Sequence, residues 1–455
     1  MINIFKKIRD YIHLYRPLPD YYGSQFKRIY AFLKESRHWD RQRIAEYKLE
    51  RLKELVRHAQ ANVPFYRELY GKHGINAENI KTFEDFSQLP VLTKKALQNN
   101  FEALKADNIK KFDPIPGSTS ATSAGATKFL RSAYLEAYRK AVVWRFFNEY
   151  GYHFREKRVN ITNPINFDPN APVFEYDKLE NELIIDTAHL MALRFEKAYD
   201  AILSFKPRLV WAHANMLGPL AEYALRNDLP PVESELVATF AIKFEPHVRR
   251  MVEKVFKGRY FEYYGNRENT IAAWGDNSEK FFEVSEYCHL ELDTRASCGR
   301  ENEGDLITTS LHNYAFPLIR YHSEDYAKWL GYTDDDKPYP ALKLIGGRGK
   351  DLILTPEGLI EPYIFVHAKQ QGFDKMQTYQ VEQLAIDRLL FRIVPKPEYD
   401  PDKDEDAMIK LIKEALPGEF DIEIKYVDAI PPTPQGKFRL AISPLALDYI
   451  NQYET

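Results

Sequence analysis

Five short segments of this chain carry residue types suited to handling phosphate and carboxylate groups. The first is TSATSAGATK, from Thr119 to Lys128. Small side chains let backbone N–H groups approach an oxyanion, and the hydroxyls of Thr119, Ser120, Thr122 and Ser123 add donors. No GKS or GKT follows Gly125, so this is not a Walker-type loop; alone it equally fits a Ser/Thr-rich linker. The second is YGNRE, Tyr264 to Glu268, in which a ring can lie against a flat base and a carboxylate can face a metal ion. Alone, it is turn chemistry. The third is GDLITTS, Gly304 to Ser310, followed by PLIRYHSED, Pro317 to Asp325. It reads as an apolar strand leading to a polar end at Asp325, where a carboxylate either accepts paired ribose hydroxyls or caps a turn. The fourth is GRGKD, Gly347 to Asp351. The fifth is PPTPQGKFR, Pro431 to Arg439, where prolines stiffen a loop bearing Lys437. A cation there can offset charge on a pentavalent phosphorus or a departing pyrophosphate, or it can simply be solvated.

These segments need elements to hold them. Ile44, Leu49, Leu52, Leu55 and Val56 recur at helical spacing between Trp39 and about Tyr70. Thr93 is placed to cap a helix over 94–105. After the hydroxyl-rich stretch, RVNIT, ELIIDT, RLVWAH and ELVAT alternate with helical patterns near 189–204 and 216–227. This βα rhythm predicts an α/β layer architecture. FFEVSEYCHLEL and DLITTSL read as strands, and the segment after GGRGKD has the makings of a small α+β domain. The expectation is a multidomain α/β protein. A large N-terminal domain would span 1–346, with 1–90 as a helical lead-in, and a small C-terminal domain would span 347–455.

The 455 residues exceed what one core usually serves, and 44% hydrophobic with 28% charged residues excludes a disordered chain. No apolar run reaches the ~18–20 residues needed to cross a bilayer, and the start lacks the apolar core of a secretory signal. With only Cys288 and Cys298, a disulfide framework is excluded and a cytoplasmic protein is expected. Cys288, His289 and Cys298 are one ligand short of a closed structural zinc site. Net charge is −3, yet residues 1–60 hold 14 Lys+Arg against 7 Asp+Glu. That basic start, with its tyrosines, fits either peripheral contact with an anionic membrane or an amphipathic lead-in packed on the main body. Nucleic-acid binding is not expected of a slightly acidic chain without a recognisable binding module.

Each segment is weak alone, but their order is specific. Hydroxyl-rich loop, YGxxE, RYxxxD, GRxxD and PxTPxGKxR follow one another in this sequence. The set resembles the adenylate-forming superfamily of acyl-CoA synthetases, peptide-synthetase adenylation domains and luciferases. It is most similar to the branch of phenylacetate–CoA ligase and CapK-type capsular polysaccharide proteins. RLKELVRHAQANVPFYRELY and FEDFSQLPVLTKKALQNNF resemble that branch's lead-in, so the likeness spans residues 40–445.

The resemblance implies ATP and Mg²⁺ as cofactors and a small carboxylic acid as substrate. Thr119, Ser120, Thr122 and Ser123 would wrap phosphates, although both family glycines are replaced by Ala121 and Ala124 and the later proline by Ala126. Tyr264, with Gly265 and Asn266, would hold adenine; Glu268 would hold Mg²⁺; Asp325, assisted by Arg348, would bind the ribose. Arg267 stands where the family has a small or hydroxyl residue. Lys350 would be the hinge, and Lys437 would be catalytic, bridging the carboxylate and the α-phosphate. The acid pocket would draw on Asn163, His213 and Asn215. The implied reaction is acyl-AMP formation with pyrophosphate release, then acyl transfer to CoA or to an amine or hydroxyl on a sugar or amino acid. The alternative is an adenylate-forming fold with impaired turnover serving as a membrane-associated binding component.

Overall fold

A computed structural model describes residues 15–118, 127–162, 172–187, 190, 194–240, 246–277, 280–294, 302–334, 337–344, 353–356, 358–360, 375–416, 418–430 and 440–451. The chain divides into two compact units, each gathered from separated stretches. The first comprises 1–119, 127–153 and 262–346; the second comprises 120–126, 154–261 and 347–455. One border lies between Gly346 and Gly347. The other borders fall within the span expected to form the large N-terminal domain.

The first unit combines helices with an antiparallel sheet. Its strands are Cys288–Asp293, Glu303–Ser310, Tyr321–Gly331, Ala341–Leu344, Lys280–Glu283 and Ala272–Asn277, joined by the end of Phe256–Gly265. The long helix Arg41–Asn62 starts at Asp40, whose side chain accepts from the Arg43 N–H, and stops where Val63 precedes Pro64. Its Leu52, Leu55, Val56 and Ala59 are fully buried in a cluster with Tyr66, Phe86, Leu97 and Phe316. The helix Gly23–Ser36 buries Phe26, Ile29, Tyr30 and Leu33. It packs on Ala133–Glu149, where the Tyr30 hydroxyl bonds Asn148 and Trp144 Nε1 donates to the Tyr22 hydroxyl. The apolar face of the described lead-in is therefore occupied within the fold. No described helix is long and apolar enough to cross a membrane.

The second unit holds the βα rhythm. Arg158–Thr162, Glu182–Asp186, Leu209–His213 and Val232–Phe240 pair in parallel, and Phe174–Asp177 adds an antiparallel edge. Helices Phe195–Phe205 and Ala214–Arg226 return the chain between strands and bury Tyr199, Ile202, Leu217 and Leu220 with Val159, Ile161, Val210 and Val237. The alternate sheet residues face the other way, which is the period-two consequence of the strand. The same unit includes a four-stranded sheet of Asp421–Tyr426, Arg388–Pro395, Met376–Ala385 and Ala441–Ile442. The helix Pro401–Ala415 supplies Met408 and Ile412 to that module's core.

Three sequence expectations need correction. FFEVSEYCHLEL is two strands, Lys280–Glu283 and Cys288–Asp293, separated by a turn in which the Tyr287 N–H donates to the Val284 carbonyl. The helix expected over 94–105 is Lys94–Asn99, because Asn100 leaves helical geometry and its side chain donates to the Ala96 carbonyl. Asp325 is not at a strand end: the strand starts at Tyr321 and runs to Gly331, placing Asp325 inside it.

The turn at 284–287 anchors the first unit through a buried ion pair. Glu286 Oε1 accepts from Arg145 Nη1, Ser36 Oγ and the Tyr339 hydroxyl, all at 2.7 Å. Burial works against the Arg145 charge, and Glu286, Tyr339 and Glu149 together more than offset it, holding the guanidinium above its ordinary pKa. Removing one member of such a pair strands the other charge away from water. Arg145→Ala is expected to lower unfolding stability by about 3–5 kcal/mol, measured by urea denaturation. A loss below about 1 kcal/mol would show that the anchor lies elsewhere.

Candidate functional site

Strand Phe256–Gly265 ends at a turn whose residues make most of the site. The Tyr264 hydroxyl donates to Asp325 Oδ2 at 2.6 Å, joining the start of YGNRE to the strand Tyr321–Gly331. The Tyr264 ring meets Phe281 edge-on at 5.9 Å. Burial, followed by the Asp325 charge, pushes the phenol well above its usual pKa, so it remains a donor. Gly265 must be a glycine for steric reasons: a Cβ there would lie 2.8 Å from the Tyr263 ring.

Asn266 closes the turn. Its Oδ1 accepts from the backbone N–H groups of Thr270 and Ile271, and its Nδ2 donates to Thr270 Oγ1 at 2.7 Å. Arg267 points outward, with Nη1 donating to the Ser118 carbonyl at 3.2 Å. Glu268 turns back inside, only 8% exposed, with Oε1 3.3 Å from the Tyr321 hydroxyl. Burial raises the pKa of its carboxyl. The backbone N–H of the same residue, the Tyr321 hydroxyl and the Lys94 ammonium act in the opposite direction, while Asp325 adds to the rise. Asn269 completes the turn at φ +59°, the left-handed region that asparagine tolerates best among side-chain-bearing residues.

Tyr321 and Lys94 carry no assigned role in the sequence reading, although both sit within quoted segments. Their placement depends on LPVLTK. The Leu92 N–H donates to the Arg320 carbonyl at 2.9 Å, and the His322 N–H donates to the Leu92 carbonyl at 3.0 Å. Arg320, itself at φ +50°, bonds the Ser87 and Leu89 carbonyls and pairs with Glu291 at 3.1 Å. A short parallel bridge thus sets Tyr321 and the start of helix Lys94–Asn99 beside Glu268. A lysine in the first turn opposes the helix dipole, and this was the available signal that it serves another charge.

The remaining expected residues lie in the second unit or outside the described residues. His213, in the second unit, ends the strand Leu209–His213, and its ring meets Phe240 at 4.8 Å. Phe240 also stacks on Trp211 at 4.4 Å, an aromatic row invisible in the sequence because the register Trp211↔Ala238 and His213↔Phe240 creates it. Asn215 lies in the first turn of Ala214–Arg226. Thr119, Ser120, Thr122, Ser123, Asn163, Arg348, Lys350 and Lys437 lie outside the described residues.

Among the described residues no cluster of three or more His, Cys, Asp or Glu side chains forms a metal cage. Glu268 still suits Mg²⁺, which commonly uses one or two carboxylates together with substrate phosphates and water. Cys288 is buried and its thiol is pushed up by burial, which agrees with a core cysteine.

Residues 352–444 match the CapK C-terminal domain. The chain is 23% identical to protein CapK of Staphylococcus aureus over 422 residues, covering 88% of this chain and 89% of that one. It is 22% identical to a phenylacetate–coenzyme A ligase of Pseudomonas putida over 327 residues, covering 68% and 72%. Among solved structures, 2-hydroxyisobutyryl-CoA ligase in complex with 2-HIB-AMP and CoA superposes with a TM-score of 0.58 at 16% identity, covering 92% and 94%.

The raised Glu268 pKa gives a test without any ligand. A carboxyl whose folded pKa lies above its unfolded value binds its proton more tightly in the native state. Its contribution is therefore present below the unfolded pKa, about 4.3, and is lost as pH rises through the folded value. Glu268→Gln is expected to raise the neutral-pH melting temperature by about 2–4 °C, as roughly 1 kcal/mol would. The gain should vanish at pH 4, as followed by thermal denaturation across pH. An equal shift at both pH values would show that charge burial is not responsible.

Proposed function

We propose that this chain, which has the fold of the adenylate-forming superfamily and a CapK C-terminal domain, activates a carboxylic acid with ATP and transfers the resulting acyl group. The observation that supports this most is the joining of Tyr264 and Asp325 by one hydrogen bond, with buried Glu268 four residues along the same turn. A phenol kept protonated donates to one oxygen of Asp325, and in this reading the Asp325 carboxylate accepts from the ribose hydroxyls. The same phenol holds a ring at the edge of the place where a base would stack. Glu268, once ionised, supplies the negative charge that a magnesium–nucleotide requires, and Lys94 offsets its repulsion from Asp325. Bound there, Mg²⁺ would offset phosphate charge.

In the first step a carboxylate oxygen bonds the α-phosphorus and the bond to pyrophosphate breaks, giving acyl-AMP. Lys437 offsets the negative charge that builds on phosphorus; Thr119, Ser120, Thr122 and Ser123 donate to the phosphates, and Arg348 assists Asp325. In the second step a nucleophile attacks the acyl carbon and AMP leaves. The acceptor is CoA, which the solved ligase binds, or an amine or hydroxyl on a sugar or amino acid. Lys350 serves as the hinge between the steps. Asn163, His213 and Asn215 contribute to the acid pocket. The presence of Glu268 and Asp325 supports turnover over a purely binding role.

Acid-dependent exchange of ATP with labelled pyrophosphate, run across a panel of acids with and without CoA, tests the reading. Lys437→Ala should reduce exchange about 100- to 1,000-fold while ATP affinity changes less than about twofold. Equal loss of both would contradict the assigned role, and a wild-type chain that exchanges with no acid would end the proposal.

A further inference from the structure

Glu136 sits in the first turn of helix Ala133–Glu149, whose N-terminus is capped by Ser132 accepting from the Leu135 N–H at 3.0 Å. An acidic residue is favoured there by the helix dipole, and its carboxylate gathers three partners. Asn269 Nδ2 donates to Oε1 at 2.9 Å. Arg131 Nη1 lies 2.7 Å from the same oxygen, and Arg139 Nε lies 3.2 Å from Oε2. Asn269 directly follows Glu268, is 3% exposed and adopts φ +59°. Arg131 belongs to the strand Lys128–Ser132, which pairs with Pro114–Ser118 as an antiparallel hairpin. The opposite strand of that hairpin ends at Ser118, whose carbonyl accepts from Arg267. The residues on either side of Glu268 are therefore tied to the two strands of one hairpin, Arg267 directly and Asn269 through Glu136.

We propose that Glu136 is a positioning residue: through Asn269 it fixes the turn carrying Glu268, and through Arg131 it fixes that turn to the hairpin, so that the Glu268 carboxylate meets magnesium–ATP in one orientation. The inference rests on Glu268 being the metal-binding carboxylate of the proposed function. Glu136 itself touches neither nucleotide nor metal. Its contribution is to restrict the backbone on the C-terminal side of Glu268, where the left-handed Asn269 reverses the chain. Partners behind a ligating carboxylate commonly alter metal affinity 10- to 100-fold when removed, and residues acting through one contact give non-additive effects.

The test uses the full chain and reads binding by calorimetry. Mg²⁺ is titrated into protein saturated with a non-hydrolysable ATP analogue, and adenosine is titrated in EDTA. Glu136→Ala should weaken Mg²⁺ binding about 10-fold or more, with adenosine affinity unchanged. Glu136→Gln, which keeps an acceptor for Asn269, should retain most of the affinity. Asn269→Gly keeps access to positive φ while deleting the carboxamide, so it should reproduce the loss even if Glu136→Ala folds poorly. The Glu136→Ala/Asn269→Gly pair should be no weaker than either single variant. Unchanged Mg²⁺ affinity in the folded single variants, or losses that multiply in the pair, would overturn the positioning role alone. A wild-type chain that binds no Mg²⁺ with the analogue would overturn the underlying assignment of Glu268 as well.

Discussion

A carboxylate taken out of water resists ionisation, and Glu268 is placed where that resistance is felt. Its surroundings show how the first unit manages it. Its own backbone N–H and the Tyr321 hydroxyl reach the carboxylate, and Lys94 acts on it through charge. None of these partners neutralises it fully, since burial still prevails. A cation arriving with a polyphosphate would complete the balance, which is the physical reason for connecting this turn to a charged nucleotide. The backbone around it is tied together: Thr308, fully buried, sits between Thr270 Oγ1 at 2.8 Å and the Tyr321 carbonyl at 3.2 Å. The middle of the sheet thus holds both ends of the Glu268–Tyr321 contact.

Charge burial recurs in the same unit with another outcome. Glu286 and Glu283 are fully buried, but each has a dedicated cation, Arg145 at 2.7 Å and Lys48 at 2.6 Å. These pairs draw helices onto the sheet and leave little charge for a ligand. Glu268 differs because its nearest side-chain partner is a neutral phenol. That contrast between paired and incompletely compensated carboxylates separates framework from site within one antiparallel layer.

Much of this was legible in the chain's order of residues. RVNIT, ELIIDT, RLVWAH and ELVAT fall on parallel strands because β-branched and aliphatic runs between helical patterns have few other solutions. The expected small α+β domain likewise has its sheet, built on Met376–Ala385, Arg388–Pro395 and Asp421–Tyr426. Tyr264, Glu268 and Asp325 come together in space although 61 residues separate the first from the last. What escaped was set by register and by turns. Asp325 lies within a strand because PLIR is drawn against LPVLTK instead of extending the sheet, a pairing between segments over 220 residues apart. FFEVSEYCHLEL breaks because buried Glu283 and Glu286 each need a partner on a different helix. The link from Asn269 to Glu136 spans 133 residues and joins two types common on any surface. No local pattern announces it.

The central claim is that Tyr264, Asp325 and Glu268 surround one nucleotide. A crystal structure of the full chain with an ATP analogue and Mg²⁺ tests this most directly. The account predicts the ribose hydroxyls on Asp325, the adenine ring against Tyr264 and the metal within reach of Glu268. A nucleotide bound away from all three, with the Tyr264–Asp325 hydrogen bond and the 264–269 turn unchanged, would contradict it.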